Sequence, residues 1–273
     1  MRVRVHAMIL AHPFFFASYS FSLSVSRLLL SYARFIFAVS ERTPFIMSIF
    51  TDNKPTLTYF DLYGKGEAIR MALVHSKTDF VDSRVSGESW AAFKASGKCN
   101  NGQVPVLEVA GKNLNQSEAI LRFVGSQTGA YDTSDPFAMW AADAVINTTG
   151  DFDKSGPKNA GGRPLYTSMF SDSPLSEEDV TKISDHRVKY WAGLQVLLGD
   201  KTYFGGEKMS IADFWVGASL FSWEKNTKGK EAQQHVYAAH AKALGGNPVM
   251  TAWADRMAVE FADYLATRRP GTI

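Results

Sequence analysis

"NGQVPVLEVAGKNLNQSEAI", Asn101–Ile120, is the stretch of the chain that decides the fold. Val104–Val109 has the β-branched residues of a strand, but it contains a proline, which removes the N–H that a central strand needs. The proline therefore marks either an edge strand or a deliberate break in the backbone. Ala110-Gly111 predicts a tight turn, Lys112–Leu114 the returning strand, and Ser117 the N-cap of the helix that follows.

The residues before this stretch alternate between strand and helix signals. Thr56–Leu62 is rich in β-branched and aromatic residues and predicts a strand, and a Gly-x-Gly turn then leads to a helix that begins at Glu67. Asp79–Val85 predicts a second strand, and Gly87–Lys98 a short, irregular helical turn. The order β-α-β-α-β-β-α predicts a small mixed sheet with helices packed on it.

The second half of the chain shows helical periodicity only. Residues 148–174 are rich in glycine and proline and predict a loop or a broken helix. Ser176 and Ser210 each have an aspartate three residues later, which predicts a capped helix start. Pro248 predicts the first turn of a last long helix. The predicted fold class is therefore α+β.

The N-terminal part differs in composition from the rest. We divide the chain into an extension at residues 1–50, an α/β domain at 51–130 and an all-α domain at 136–273. The extension is rich in Phe, Ser and Arg, which is typical of a secretory signal or of an organelle transit peptide. Alternatively, translation begins at Met47 and the leader is an over-extended gene model. Arginines and a proline interrupt its apolar runs and argue against a membrane span.

Charge and cysteine content exclude several classes of protein. Residues 1–46 contain five arginines and one acid, so the remainder has a net charge of −2 although the whole chain has +2. The body therefore lacks the basic surface expected of a nucleic-acid-binding protein. The single cysteine, Cys99, excludes an intramolecular disulfide framework and a C-x-x-C redox pair. The histidines lack ligand spacing, so no metal site is predicted.

Three segments resemble the cytosolic glutathione transferases in order and spacing, above all the sigma-like branch that uses a tyrosine. They are "LTYFDLYGKGEAIRMAL" (Leu57–Leu73), "GQVPVLEVAGKNLNQSEAILRF" (Gly102–Phe123) and "SIADFWVGASL" (Ser210–Leu220). The resemblance implies the fold of that family, a thioredoxin-like βαβαββα domain followed by an all-α domain. It also implies that Asp213 belongs to a structural capping box.

The resemblance implies that Tyr59 is the catalytic residue. Only the thiolate of glutathione is a strong nucleophile, and a tyrosine hydroxyl that donates a hydrogen bond to the sulfur stabilises it. Judged as an arbitrary aromatic residue on a strand, Tyr59 would be a core residue. Tyr63 lies in the following turn and ranks second.

The remaining glutathione contacts are also carried over from the resemblance. Val104 and Pro105 form a cis peptide whose backbone pairs with the cysteinyl part of glutathione. Gln116 and Ser117 bind the γ-glutamyl carboxylate at a helix N-terminus, although Ser117 would also serve as an ordinary cap. The glycyl side and the thiol side are expected to be bound by Trp90, Lys94, Gln103 and Lys65.

Two of these positions depart from the pattern of the resembled family. Lys65 stands where an arginine is usual and lacks the planar guanidinium fork. Asn147 stands at the position where the resembled family has an acid, which contacts the γ-glutamyl amine from the partner subunit. As an asparagine, it brings no charge to that contact.

The function expected from the resemblance is conjugation of glutathione to largely apolar electrophiles, with glutathione as co-substrate, no metal, and a homodimeric cytoplasmic protein. Tyr63, Trp140, Phe152 and Trp215 are candidates for the electrophile pocket. Isomerisation of the prostaglandin type and peroxide reduction use the same thiolate and stay open. A non-catalytic protein that binds glutathione or an apolar ligand is the alternative outside enzymes.

Overall fold

Four strands form the sheet that carries the proline-containing stretch. They are β1 (Thr56–Phe60), β2 (Val81–Val85), β3 (Val106–Val109) and β4 (Lys112–Asn115), in the order β2-β1-β3-β4. β1 runs parallel to β2 and antiparallel to β3, and β3 runs antiparallel to β4. This is the mixed sheet that the strand and helix order predicts.

The computed structural model describes residues 48–170, 175–229 and 231–270. Its helices are α1 (Glu67–His75), α2 (Gly87–Ala95), α3 (Ser117–Thr128), α4 (Pro136–Lys154), α5 (Glu177–Leu198), α6 (Ile211–Ser222), α7 (Gln234–Gly245), α8 (Pro248–Glu260) and α9 (Ala262–Thr267). A thioredoxin-like βαβαββα layer is thus followed by an all-α layer, and the predicted fold is confirmed.

The predicted N-terminal extension lies outside the described residues as far as Met47. The residues that follow it belong to the body of the protein. The backbone N–H of Ile49 donates a hydrogen bond to Gln127 of α3, over 3.2 Å. Met47–Ile273 forms one compact unit.

The hairpin has the turn that its sequence predicts. Ala110 and Gly111 have φ values of 47° and 71°, the left-handed pair of a type I′ turn. The first strand is shorter than predicted and begins at Val106, because the two residues before it form a cis peptide.

Four helix boundaries differ from the predictions, and each has a local cause. α2 is a regular helix, because Ser86 and Ser89 form a capping box at its start. α4 continues to Lys154, into the segment that was predicted as a loop or a broken helix. The helix contains one glycine there, which it tolerates because one of its sides is packed against the protein. The predicted last helix is two, α8 and α9, which meet at Phe261. The fourth difference, at Ser117, concerns the site described below.

The two layers share one hydrophobic core at the contact between α1 and α6. Gly217 of α6 makes this contact close, since a Cβ there would lie 2.9 Å from the Cε of Met71 in α1. Asp213, fully buried at the start of α6, accepts hydrogen bonds from the N–H of Ser210 and from the indole of Trp253. The predicted capping box is therefore present and holds α6 to α8.

Candidate active site

A cavity of about 390 Å³ opens where the loop after β1, the segment before β3 and the start of α3 meet. Most of the residues predicted to bind glutathione line it: Lys65, Trp90, Gln103, Val104, Pro105, Gln116 and Ser117. Residues that the sequence did not single out complete the lining: Phe60, Asn101, Gly102 and Asn115. The fold therefore brings predicted residues that are up to 52 positions apart, Lys65 and Ser117, to one cavity.

Tyr59 does not belong to the lining of this cavity, but it lies on β1 next to Phe60, which does, and only 8% of its surface is exposed. Its phenolic oxygen accepts a hydrogen bond from the backbone N–H of Lys65 over 3.1 Å. Burial raises the pKa of Tyr59, against the opposing effects of the Lys65 N–H and the Arg70 charge. The hydroxyl is therefore protonated at neutral pH and keeps its hydrogen for donation to another atom.

The Gly-x-Gly turn after β1 is shaped around the Tyr59 ring. A Cβ on Gly66 would lie 2.8 Å from Cγ of Tyr59, and a Cβ on Gly64 would lie 2.7 Å from its hydroxyl oxygen. Gly64 also has a φ of +42°, which glycine adopts without strain. Both glycines are needed for the turn to pass this close to the tyrosine.

Val104 and Pro105 form the cis peptide that the resemblance implies. Val104 comes before the first paired residue of β3, Val106. Within the described residues, neither the N–H nor the C=O of Val104 takes part in a hydrogen bond. Both groups are thus free to pair with an extended ligand in the cavity.

Ser117 is not the N-cap of α3, so that prediction was wrong. Gln116 is the N-cap, with a φ of +74° that side-chain-bearing residues rarely adopt, and Ser117 is the first helical residue. Gln116 makes no side-chain cap hydrogen bond. The first N–H groups of the helix and the Ser117 hydroxyl therefore face the cavity as donors, an arrangement suited to a carboxylate.

Trp90 and Lys94 share one face of α2, as their spacing predicts. The Lys94 ammonium lies 6.0 Å from the centre of the Trp90 ring, and the ring is half-buried against Phe60. Lys94 itself is exposed and its stem reaches Gly102 at the rim of the cavity. Lys65 is exposed on the opposite side. Two cations thus flank the cavity.

Asn147 is the predicted site residue that the structure places apart from the cavity. It lies exposed on α4, and Asp151, one turn later, is exposed on the same side of that helix. These residues do not reach the cavity of their own chain.

Arg70 is a site residue that sequence reasoning missed. It is buried on α1, 5.7 Å from the centre of the Tyr59 ring, and it contacts both Glu67 and Asp82. Its carbonyl partners include Leu62 and Tyr63 in the turn after β1. The signal in the sequence was the Glu-x-x-Arg spacing, which allows a pair on one helical face.

Residues 264–269 contact the turn after β1 from the other side. The Tyr63 hydroxyl donates to the carbonyl of Arg269 over 2.9 Å, and the Arg268 guanidinium lies 4.0 Å above the Tyr63 ring. Arg268 and Tyr264 both contact the Glu67 carboxylate. Tyr63 is therefore enclosed by protein and does not wall a pocket.

A second, smaller cavity of about 80 Å³ lies within the all-α layer, lined mainly by apolar side chains. Phe152, a predicted electrophile contact, lines it, whereas Trp140 is exposed and Trp215 belongs to the main core. Asp153 stands in its lining and is an exposed residue. Surrounding protein raises the pKa of Asp153, and the charges of Arg187 and Lys65 oppose that shift. The charge of Lys65, which lines the first cavity, thus acts on a carboxyl of the second.

Among the described residues, no group of histidine, cysteine or acidic side chains could hold a metal ion. The helices in the described part of the chain include none that is long and apolar enough to cross a membrane.

The layers and the cavity together define a thioredoxin-like protein with an appended helical domain. The sequence model for "Glutathione S-transferase, N-terminal domain" matches residues 55–126. Glutathione S-transferase 1 of Ascaris suum is 33% identical over 172 residues, which cover 62% of this chain and 79% of that protein. The chain belongs to the glutathione S-transferase family, whose members use glutathione as a substrate.

Other relatives agree with this assignment. Hematopoietic prostaglandin D synthase of Gallus gallus is 28% identical over 200 residues, 72% of this chain and 93% of that protein. The crystal structure of the glutathione S-transferase from Ascaris lumbricoides matches with a TM-score of 0.64 and 26% identity, over 79% of this chain and 98% of that one. These relatives support either transferase or glutathione-dependent isomerase activity.

Proposed function

We propose that this protein conjugates glutathione to apolar electrophiles and that Tyr59 activates the thiol. The observation that carries the proposal is the hydrogen bond from the Lys65 N–H to the Tyr59 oxygen. It occupies an acceptor position of the hydroxyl and leaves the O–H to donate toward a sulfur in the cavity. The thiol proton goes to solvent, and the sulfur retains the electron pair as a thiolate.

The reaction then forms a carbon–sulfur bond at the electrophilic carbon. In a substitution the leaving group departs with the electron pair of the bond that breaks. In an addition to a conjugated double bond, the neighbouring carbon takes a proton from solvent. Either course needs the thiolate and an apolar site beside it, and we assign that site to the cavity at Phe152 and Asp153, whose carboxyl is subject to the charge of Lys65.

The cavity also suits the two charged ends of glutathione. The γ-glutamyl carboxylate is assigned to the N-terminus of α3, with Gln116 and Ser117. The glycyl carboxylate is assigned to Lys94 beside Trp90, with Gln103 as a polar neighbour. The free N–H and C=O of Val104 are assigned to the cysteinyl backbone, which they would bind as a short added strand.

The same proposal includes a homodimer, the typical state of this family. Phe137 and Trp140 on α4 are 81% and 68% exposed, and they form one stripe with Asn147 and Asp151. A second copy of the chain would bury the two aromatic side chains. It would also bring Asn147, with Asp151 beside it, toward the cavity of the partner. The carboxylate of Asp151 supplies the charge that Asn147 lacks.

The pKa of bound glutathione tests the catalytic assignment. We expect the ultraviolet absorbance of the thiolate, titrated against pH, to give a pKa well below the usual value of about 8.5 in the wild type. Tyr59→Phe should return the pKa to about 8.5, whereas Tyr63→Phe, whose hydroxyl is bound to Arg269, should not. A wild type that binds glutathione without lowering its thiol pKa would refute the proposal. Equal behaviour of Tyr59→Phe and wild type would assign the role to another group.

A further inference from the structure

The second cavity contains a polar group whose hydrogen-bonding capacity is not used. His240 of α7 lines this cavity and is only 3% exposed. Neither of its ring nitrogens has a hydrogen-bond partner among the described residues. Buried polar groups are almost always paired, so an unpaired imidazole in a cavity wall indicates a partner that enters from outside.

The surroundings of His240 determine which of its atoms is available. Its ring stacks on Trp223 with centroids 4.6 Å apart and an angle of 7°. Nδ1 lies 3.5 Å from Oε1 of Glu224, too far for a good hydrogen bond but close enough for that carboxylate to favour a proton on Nδ1. Nε2 is then the free acceptor of the neutral ring.

Glu224 holds this arrangement because its own charge is already compensated. It is fully buried and accepts hydrogen bonds from Nε of Arg187, over 2.8 Å, and from the Trp191 indole, over 3.2 Å. Burial and the nearby Arg187 charge keep the pKa of His240 below its ordinary value, despite Glu224. The imidazole is therefore uncharged at neutral pH, and it offers one acceptor and no net charge.

Two other ionisable groups of the lining have partners of their own. Arg187 is bound to Glu224 and to the Ser219 hydroxyl, and His186 contacts Ser155. The lining also includes Asp153, while Phe152, Leu165 and Ile183 supply apolar walls. Because most of the lining is apolar, it favours a ligand with few polar groups.

We propose that His240 determines substrate specificity: it accepts a hydrogen bond from a hydroxyl at the far end of an aromatic electrophile whose reactive carbon lies near Lys65. This proposal rests on the function proposed above and adds the class of electrophile. A cavity of about 80 Å³ is smaller than the ~150 Å³ that admits a benzene ring, so it receives the hydroxyl-bearing edge of the ring. Phe152 would contact the face of that ring, and Asp153 would lie toward the reactive carbon, because its carboxyl is subject to the charge of Lys65.

Three probes that differ at one position test this assignment: benzylideneacetone, its para-hydroxy derivative and its para-methoxy derivative. In each, the glutathione sulfur bonds to the β-carbon of the enone and the α-carbon takes a proton from solvent. Only the hydroxy compound can donate to Nε2. The readout is the ratio of kcat/KM for the hydroxy compound to kcat/KM for the parent. The intrinsic reactivities of the two compounds are the same for every variant, so they cancel when the ratios of two variants are compared.

His240→Phe keeps a flat ring against Trp223 but removes the acceptor. We expect it to lower the ratio about tenfold, the effect of one hydrogen bond, with no comparable change for the methoxy compound. His240→Gln restores an acceptor near the position of Nε2 and should recover part of the ratio. His235→Phe, on an exposed position of the same helix, should leave it as in wild type. Circular dichroism melts show whether each variant is folded. If His240→Phe is not folded, the comparison of His240→Gln with the wild type provides the test.

The outcomes separate the two proposals. If the wild type turns over the parent compound but His240→Phe has the wild-type ratio, the cavity holds only water or stays empty, and the role of His240 is refuted. If the hydroxy and methoxy compounds lose activity equally, His240 is structural and the specificity assignment is equally refuted. If glutathione binds but none of the three compounds is turned over, the proposed function fails, and the assignment fails with it.

Discussion

The backbone N–H of Lys65 donates a hydrogen bond to the phenolic oxygen of Tyr59 across 3.1 Å. The contact joins the end of β1 to the turn that follows it, and it directs the O–H of Tyr59 away from that turn. It forms because the turn contains glycine on both sides of Lys65. The geometry of the Tyr59 hydroxyl therefore depends on residues that have no functional group of their own.

Gly66→Ala should damage the site through this turn. The added methyl group would stand 2.8 Å from Cγ of the buried Tyr59 ring, so the ring or the turn must shift. We expect a loss of about 1–3 kcal/mol in the free energy of unfolding and a fall of at least about tenfold in kcat/KM. Urea denaturation and steady-state kinetics measure the two effects. Gly245→Ala is the control, because no atom lies within 4 Å of a Cβ there; a Gly66→Ala variant equal to it would contradict the prediction.

Arg268→Met should destabilise the protein strongly. Arg268 lies 2.8 Å from the fully buried Glu67 carboxylate and also donates to the carbonyl of Phe221. Glu67 would keep Arg70 and Tyr264 as partners, but it would lose one of two buried cations, and the Phe221 carbonyl would lose its donor. We therefore expect a loss at the lower end of the range of about 3–5 kcal/mol for a broken buried pair, measured by chemical denaturation. Lys54→Met removes the exposed pair with Asp79 and should change stability little. Similar denaturation midpoints for Arg268→Met and Lys54→Met would show that the buried pair contributes no more to stability than the exposed pair.

The stability of the protein should fall in acid partly through Asp82. Burial raises the pKa of this carboxyl, but Arg84 and Arg70 outweigh burial and hold the pKa below its ordinary value. The stabilisation is complete above the unfolded-state pKa of about 3.9 and is lost as the pH falls through the lower folded-state pKa.

Asp82→Asn provides the measurement. The difference in free energy of unfolding between wild type and Asp82→Asn should be largest near about pH 6 and should shrink toward about pH 2. Asp79→Asn, the same change at an exposed position, is the control. A difference that stays constant with pH would mean that the charge of Asp82 does not contribute.

Trp140→Glu tests the proposed dimer. The tryptophan is 68% exposed in the isolated chain, and a charge in its place would be costly inside an apolar interface. Sedimentation velocity should show a dimer for the wild type and a monomer for Trp140→Glu, while Val196→Glu, 80% exposed on α5, should remain dimeric. A monomeric wild type would refute the assembly and leave Asn147 without a role in the site.

The fold could be read from the sequence because its signals are local. Ala110-Gly111 specifies its turn by backbone preference, and Ser210 with Asp213 specifies a helix start. The position of Gln116 as N-cap was not predictable in this way. Its positive φ is imposed by the strand before it and the helix after it, and no preference of glutamine indicates it.

Contacts between residues that are far apart in the sequence could not be predicted for a different reason. Arg268 reads as an exposed basic residue near the C-terminus, and only the packing of α9 against α1 brings it to Glu67. His240 reads as one of several scattered histidines, and its unpaired nitrogens are visible only once α4, α5 and α7 enclose the cavity. Such features depend on distances between residues that are far apart in the chain.

The hydrogen bond from Tyr63 to Arg269 has a consequence for the order of assembly. The two residues are 206 positions apart, so the turn that carries Lys65 is held in this way only after residues through Arg269 have been synthesised. The sheet can form from its own segments early, since most of its pairings are local in sequence. During translation, the turn beside Tyr59 is thus completed after the sheet, and a nascent chain that has made its sheet does not yet have this contact.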